Sequence, residues 1–280
     1  MTTRVVTARR ACASIVPLKR WMLHRAWVVA GIAAPLLAHH AVGADGPALP
    51  GPEGVPAADA SRFVALVDRM TAAVEQIRDY TCVFTRQERV RGELLPMETM
   101  LLKHRGPGVC VYMKWIEEPH RGREIIYCEG KYDGRLRVHE GSGIASWMSL
   151  SLDPVGSLAL RHARRPVTEA GVYNSARLIA RGFEQVHGDG SGRLIGVNEM
   201  AVQGQPSLCA LTVPSDVDAT ADERLSRTEI CIDRERALPT SLRLWDVDRQ
   251  LVGAYTYSDY HLNVGLGDQD FDVANRAYGF

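Results

Sequence analysis

The cysteines are the residues of this chain with the most evident chemistry. The chain has six cysteines. Cys12 lies in an N-terminal segment that we expect to be removed. The other five are Cys82, Cys110, Cys128, Cys209 and Cys231. Cysteines of an exported protein can form disulfides, and opposed positions on antiparallel strands lie within reach of a bridge. The spacing favours two bridges, Cys110–Cys128 and Cys209–Cys231. The alternative is that all five are small, buried apolar side chains.

Cys82 would then be the unpaired cysteine, and a lone cysteine can act as a nucleophile. It would need a neighbouring base to form the thiolate. His104 or His139 could approach it, but nothing in their spacing requires this. Its neighbours Val83 and Phe84 favour packing.

The sequence shows no established catalytic or metal-binding motif. The histidines are scattered, without a His-x-x-x-His or Cys-x-x-Cys pattern. We find no nucleophile elbow and no phosphate-binding glycine loop. The sequence therefore predicts no catalytic residue, no metal site and no cofactor. An envelope hydrolase is an alternative that needs an activated cysteine, or paired carboxylates such as Glu88 and Glu124 in one pocket.

Charged residues cluster in the first predicted strands, where they have two interpretations. They form either a polar mouth that meets a head group or partner, or cross-strand ion pairs that contribute less than about 1 kcal/mol each. These residues are Arg86, Glu88, Arg89, Lys114, Arg123 and Glu124.

Apolar and aromatic residues on the predicted strands, with one just before the middle helices, could line a binding site. Methionine and tryptophan on a concave sheet can adapt to a flexible ligand. The alternative is a closed core that the helices fill completely. The candidate apolar wall consists of Phe84, Met97, Leu101, Val111, Met113, Trp115, Trp147, Leu242, Leu244, Tyr255 and Tyr257.

Residues 1–44 have the pattern of an export signal. Their charged residues are all basic, and an apolar run of 13 residues, Ala26–Ala38, precedes the small residues Val42 and Ala44. The run is shorter than the about 20 residues of a spanning helix. We therefore predict cleavage after Ala44 and a periplasmic or secreted protein, with an uncleaved membrane anchor as the alternative.

The remaining chain is acidic and is expected to be soluble. It holds 27 basic and 33 acidic residues, a net charge of −6. Nucleic acid is not an expected partner, because there is no cluster of basic and aromatic residues. Residues 45–58 are rich in Pro and Gly and predict a flexible linker. Residues 59–280 predict a single domain.

Helical spacing of apolar residues predicts a helix over Asp59–Tyr80, capped by Asp59 or Ser61. A second helical pattern covers Val172–Val186, and a shorter helical piece is predicted at Val155–Ala163. Each helix has an apolar stripe that must pack on something, which we expect to be a sheet.

Two blocks of strand patterns flank the middle helices. The predicted strands are Thr81–Val90, Glu93–His104, Val109–Trp115, Glu124–Cys128, Lys131–Glu140, Arg193–Val202, Pro206–Val213, Arg224–Asp233, Leu238–Val247 and Gln250–Val264. Short links between successive strands favour antiparallel pairing.

Two hairpin registers follow from the loops. A two-residue turn at Arg91-Gly92 places Phe84 opposite Thr99 and Cys82 opposite Leu101. Centring the next loop on Pro119 pairs three sets of matched residues: Lys114 with Glu124, Tyr112 with Ile126, and Cys110 with Cys128.

The predicted fold class is α+β, mainly antiparallel β. We expect a half-open curved sheet, or incomplete barrel, of about ten strands. The N-terminal helix and the middle helical pair would pack on its concave side, and the tail DFDVANRAYGF would dock on the sheet.

Three sequence strings resemble an exported bacterial family, the domain-of-unknown-function family 1571. They are YTCVFTRQERVRGELL, VYMKWIEEPHRGREIIYCEGKYDG and SLDP. The family has no assigned chemistry, so the resemblance implies no catalytic residue. A weaker resemblance, in Val111–Gly134 and the terminal F-D-x-x-N-x-x-Y-x-F, is to the periplasmic lipoprotein carriers of the Lol type. That resemblance implies a half-open barrel whose cavity takes acyl chains.

The sequence therefore favours a non-catalytic carrier or sensor of an apolar ligand. The expected partner is a lipid, an acyl chain or a lipidated protein. The alternative is an envelope protein–protein interaction or regulatory module with a closed core.

Overall fold

The computed structural model describes residues 54–106, 108–143, 148–187, 192–213 and 225–280. The predicted signal peptide and most of the predicted linker therefore lie outside the described residues, as does Trp147. No helix within the described ranges is both long and apolar enough to cross a membrane.

One antiparallel sheet contains all the strands of the described residues. The strands are β1 Asp79–Val90, β2 Glu93–Leu94, β3 Glu98–Arg105, β4 Cys110–Trp115, β5 Glu124–Cys128, β6 Leu136–His139, β7 Ser149–Leu152, β8 Arg193–Val202, β9 Gln205–Val213, β10 Leu225–Asp233, β11 Pro239–Asp246 and β12 Leu251–Leu262. The predicted mainly antiparallel fold is confirmed. The second predicted strand is divided into β2 and β3, and β7 was not predicted.

The first strand pairs with the last at the centre of the sheet. The order is β7-β6-β5-β4-β3-β1-β12-β11-β10-β9-β8, with β2 paired to β1 beside this path. The strands β1 and β12 thus join the two sequence blocks. The edge strands β7 and β8 do not pair with each other in the described part of the sheet, which is therefore unclosed, as predicted.

The register of the second hairpin is as predicted, and that of the first is not. Lys114 faces Glu124, and Cys110 faces Cys128. In the first hairpin, Val90 faces Glu93 across the expected turn, but Phe84 faces Met100 instead of Thr99.

The irregular residues 95–97, between β2 and β3, cause this slip. A slip of one residue sends every following side chain to the other face of the sheet. Met100 and Leu102 consequently point to the core, whereas Leu101 is exposed.

The helices cover one face of the sheet, which we call the inner face. Helix α1 spans Ala57–Glu75 and α2 spans Val172–His187. The predicted cap was wrong, because α1 begins two residues before Asp59 and no side chain caps it. The predicted helical piece Val155–Ala163 consists of turns and one 3-10 turn, Ala159–His162.

The main core lies between the helices and the inner face. Phe63 and Met70 of α1 and Ile179 and Phe183 of α2 belong to it, together with inward side chains of both strand blocks. The rings of Phe63 and Phe183 lie 5.1 Å apart. Since α1 packs on α2 as well as on the sheet, each helix fixes the position of the other.

The C-terminal tail docks on the outer face, as predicted. Phe271 is fully buried there in a small second core. The ring of Tyr278 stacks on Tyr112 at 4.1 Å, and Lys103 pairs with Asp270 at 2.6 Å.

Both cysteine pairs predicted from the spacing are joined in the structure. The Cα atoms are 3.9 Å apart in Cys110–Cys128 and 4.1 Å apart in Cys209–Cys231. Cys82 is free and buried.

The start of α2 is anchored on β1 and β3. The backbone N–H of Val172 donates to the hydroxyl of Tyr80 at 2.7 Å, and the Tyr80 ring stacks on His104 at 5.3 Å. Gly171 has a φ of +113°, and an added Cβ would lie 2.6 Å from the His104 ring. A glycine is needed here for both its conformation and its size.

We expect the purified protein to contain two disulfides and one free thiol, Cys82, once the predicted signal peptide with Cys12 has been removed. Cys209→Ser should lower the free energy of unfolding by about 3 kcal/mol, because the bridge closes a loop of 22 residues. Non-reducing mass spectrometry and denaturant unfolding measure these effects. Cys82→Ala is the control, since it removes the free thiol and leaves both bridges. Five alkylatable thiols in the unreduced protein would contradict the prediction.

His104 should make stability fall as the pH drops below neutral. Burial lowers the pKa of His104 to about 4, although its bond to the Ala170 backbone acts in the opposite direction. Below pH 6.5 the unfolded chain binds a proton that the folded ring does not accept until about pH 4. Stability is thus lost as pH falls through this window, by an amount on the order of 2–3 kcal/mol.

Denaturant unfolding of the wild type and of His104→Asn, measured between pH 7 and pH 4, tests this prediction. The variant should be less stable at pH 7 and should show a flatter dependence on pH. Parallel curves for the two proteins would rule out this role of His104.

Candidate binding cavity

A cavity of about 580 Å³ lies between the inner face of the sheet and the segment 154–186. Its floor comes from strands of both blocks, and its roof comes from the chain before α2 and from α2 itself. The roof residues include Leu158, Ala159, Val167, Leu178, Ile179, Gly182 and Val186. The helices therefore do not fill the inner face completely.

Seven of the eleven predicted wall residues line this cavity. They are Phe84, Met113, Trp115, Leu242, Leu244, Tyr255 and Tyr257. Phe84 is the centre of an aromatic group, because its ring stacks on Tyr257 at 4.8 Å and lies 6.4 Å from Tyr255. The pairing of β1 with β12 brings these three rings together.

The other predicted wall residues lie elsewhere. Val111 is buried in the main core but does not reach the cavity. Met97 and Leu101 are exposed and do not line it. Leu101 lies on the outer face because of the one-residue slip in β3, and Met97 belongs to the irregular segment that causes the slip. Trp147 is outside the described residues.

The sequence reasoning missed one side of the wall. Leu136 and Val138 of β6, and Leu150 and Leu152 of β7, line the cavity. The sequence of β6 did indicate this part of the wall, because Leu136 and Val138 are two positions apart and therefore lie on the same face of the strand. The short SLSL pattern of β7 was too brief to be recognised as a strand.

A buried polar cluster sits against the apolar wall on β1 and β3. The Nε of Arg86 donates to Glu98 at 2.8 Å, and its Nη1 lies 3.6 Å from Glu88. The Trp115 indole donates to Glu98 at 2.9 Å, and the Tyr255 hydroxyl donates to Glu88 at 2.6 Å. Burial and the Glu88 carboxylate raise the pKa of Tyr255 well above its usual value, so this hydroxyl stays protonated.

The same cluster holds the roof in place. The backbone N–H of Arg164 donates to Glu88 at 3.2 Å, and its guanidinium donates to the carbonyl of Arg89. Arg86 donates to the carbonyl of His162 at 3.4 Å. The charges of β1 therefore bind the backbone of the roof segment, which is a positioning role.

The charged residues divide between the two faces. Arg86, Glu88 and Arg123 line the cavity. Lys114 and Glu124 pair at 2.8 Å on the outer face, where Glu124 also accepts from the backbone N–H of Gly279. Glu88 and Glu124 thus do not converge in one pocket, which was the arrangement that a hydrolase required.

Cys82 is poorly suited to nucleophilic chemistry. Burial raises the pKa of its thiol well above the usual value, with a further contribution from Asp259. A thiolate is therefore disfavoured. Within the described ranges, no three or more His, Cys, Asp or Glu residues are grouped to hold a metal ion. The arrangement is suited to enclosing an apolar molecule.

Several solved structures of bacterial proteins are similar to this chain. The complex of MucA and MucB from Pseudomonas aeruginosa matches with a TM-score of 0.42 and 16% identity, over 74% of this chain and 59% of that one. Lipoprotein LppX from Mycobacterium tuberculosis matches with a TM-score of 0.43 and 9% identity, over 76% and 99% of the two chains. A LolA superfamily protein from Nitrosomonas europaea matches with a TM-score of 0.30 and 10% identity, over 75% and 96%.

This chain spans about three fifths of the length of the MucB structures it matches, between 58% and 62%. At these identities and TM-scores, the similarity does not indicate what the chain binds. No curated protein matches the sequence. The family described as a protein of unknown function, DUF1571, matches residues 77–280, and the chain belongs to this family.

Proposed function

We propose that this chain is an exported binding protein that carries or senses an apolar ligand and has no catalytic activity. The ligand would be a lipid, an acyl chain or a lipidated protein. The cavity is the observation that carries the proposal. Its volume of about 580 Å³ falls within the roughly 300–1,000 Å³ of small-molecule sites.

The driving force for binding would be burial of hydrocarbon. Each methylene taken out of water contributes about 0.8 kcal/mol. The aromatic side chains Phe84, Tyr255 and Tyr257 would contact the chain on the floor, and Met113 can adjust to its shape. The charges of Arg86, Glu88 and Arg123 already have partners, so these three groups add little attraction for a charged ligand.

The polar and reactive groups support a non-catalytic role. Glu88 and Glu98 are bound to Arg86, Tyr255 and Trp115, and Cys82 is buried with a raised pKa. None of these groups combines a free nucleophile with a base. The export proposal rests on the sequence of residues 1–44 and is consistent with two disulfides, which persist in oxidising compartments.

The closed-core alternative has less support. A pure protein–protein module with a solid interior would leave no room for a cavity of this size. A lipidated protein would still combine both kinds of partner, with its acyl chain buried and its polypeptide outside.

Native mass spectrometry of the gently purified protein tests the proposal. We expect bound species heavier than the polypeptide, which organic extraction identifies as lipids. Delipidated protein should take up a fluorescent fatty acid, and Leu244→Glu should weaken that uptake by about tenfold or more, because a carboxylate would then face the chain. Val247→Glu is the control, since Val247 follows the same strand and is exposed. Absence of both co-purified lipid and fatty-acid uptake would refute the proposal.

Filling the cavity at Gly182 should weaken binding without weakening the fold. Gly182 lines the cavity, and an added Cβ meets no atom within 4 Å. Gly182→Phe should reduce fatty-acid affinity about tenfold, because overpacking an occupied site costs roughly 1–3 kcal/mol. Gly182→Ala is the matched control, and it should stabilise α2 by about 0.8–1 kcal/mol with little effect on affinity.

Thermal unfolding and fatty-acid titration of both Gly182 variants measure these effects. Equal affinities for the Phe and Ala variants, in proteins of normal stability, would show that the ligand binds elsewhere.

A further inference from the structure

Four large apolar side chains are exposed together near β7, the edge strand of the sheet. Leu150 lies in β7, and Met148 directly precedes this strand. Val155 and Leu158 belong to the turn that follows it. Their exposed fractions are 44%, 39%, 60% and 68%. We call these four residues the mouth patch.

The mouth patch is continuous with the cavity. Leu150 and Leu158 line the cavity and are also exposed to solvent. The cavity therefore opens to solvent at this edge of the sheet, and a ligand that moves through the opening would pass the mouth patch.

The segment that carries the mouth patch is basic in sequence, in contrast to the rest of the chain. Between residues 148 and 165 there is one acid, Asp153, and three arginines, whereas the chain from residue 45 onwards has a net charge of −6. Arg165 pairs with Glu169 at 3.0 Å and the guanidinium of Arg164 donates to the carbonyl of Arg89, which leaves Arg161 as the arginine of this segment that faces solvent. Arg161 is exposed and lines the cavity. Its backbone N–H donates to the carbonyl of Leu158 at 3.4 Å, but its guanidinium makes no hydrogen bond or ion pair with any residue that the structure describes.

The segment that carries the mouth patch is held at both ends. Hydrogen bonds from Arg86 and to Glu88 fix residues 162–164, and β7 pairs with β6 through Leu136↔Leu152 and Val138↔Leu150. Val155 and Leu158 project from the turn between these two anchors. Exposed apolar residues beside cations are the pattern of a surface that rests on lipid.

We propose that the mouth patch binds the surface of an anionic lipid bilayer. Val155 and Leu158 insert among the acyl chains, and Arg161 meets the phosphate groups. The cavity then faces the bilayer, so that an apolar ligand passes between them without crossing water. The passage of ligand rests on the function proposed above, but the docking itself does not.

Co-sedimentation with vesicles of phosphatidylcholine, with and without phosphatidylglycerol, tests the proposal. The protein is purified from cells after any N-terminal processing, and all variants must have the same N-terminal mass. The wild type should bind the anionic vesicles more tightly. The double variant Val155→Ser/Leu158→Ser should lose roughly tenfold or more in affinity, because it removes two inserted side chains. Arg161→Gln should lose about fivefold on anionic vesicles only.

The control is Val247→Ser, which replaces an exposed valine outside the mouth patch and should bind like the wild type. Thermal unfolding shows that each variant is folded. The proposal would be overturned if the wild type bound neither kind of vesicle. It would also be overturned if the double variant bound anionic vesicles as tightly as Val247→Ser does. The latter result would leave a protein partner as the occupant of the mouth patch.

Fatty-acid binding in solution separates this proposal from the function proposed above. The double variant should still take up fatty acid in solution, since the cavity floor is intact. Vesicle binding without any fatty-acid uptake would leave the docking surface standing and refute the carrier function.

Discussion

The pairing of the first strand with the last is the constraint on which the site depends. Strand β1 lies between β3 and β12 at the centre of the sheet, so two blocks that are far apart in sequence become one surface. The aromatic floor exists only because Phe84 faces Tyr257 across this junction. The Glu88–Tyr255 hydrogen bond crosses the same junction. A chain that formed each block separately would have neither the floor nor the anchor for the roof.

The cavity remains because the single apolar face of α2 packs against both α1 and the sheet. Phe183 turns towards Phe63 of α1, which fixes the distance and rotation of α2. One position that then faces the cavity is Gly182, which has no side chain to fill it, since an added Cβ would meet no atom within 4 Å. A ligand that fills this space would take the apolar side chains of the wall out of water. The fold is therefore expected to gain stability when a ligand of suitable shape occupies the space.

Most of the sheet could be predicted from sequence because its hairpins are local. The β4–β5 register followed from matching Lys114 with Glu124 and Cys110 with Cys128. The β1–β3 register could not be obtained in this way. It depends on the irregular residues 95–97, which the alternation of apolar and polar residues does not reveal. This one slip explains why Leu101 was placed on the wall. The roof was harder still, because Val155–Ala163 has helical spacing, whereas the chain is fixed at His162 and Arg164 by Arg86 and Glu88 and only Ala159–His162 forms a 3-10 turn.

The polar cluster bears on how a ligand could enter the cavity. Glu88 and Glu98 are buried and Arg86 is mostly buried, and lifting residues 162–164 would break three hydrogen bonds between the roof and this part of β1, each of which contributes on the order of 1 kcal/mol. Opening the roof at residues 162–164 would therefore be slow and unfavourable. The opposite end of the roof carries no such bonds: Leu158 is mostly exposed and Leu150 lies on an edge strand. Entry at β7 requires less free energy, because a ligand there displaces only side chains. The polar cluster meanwhile keeps the other end of the roof in place.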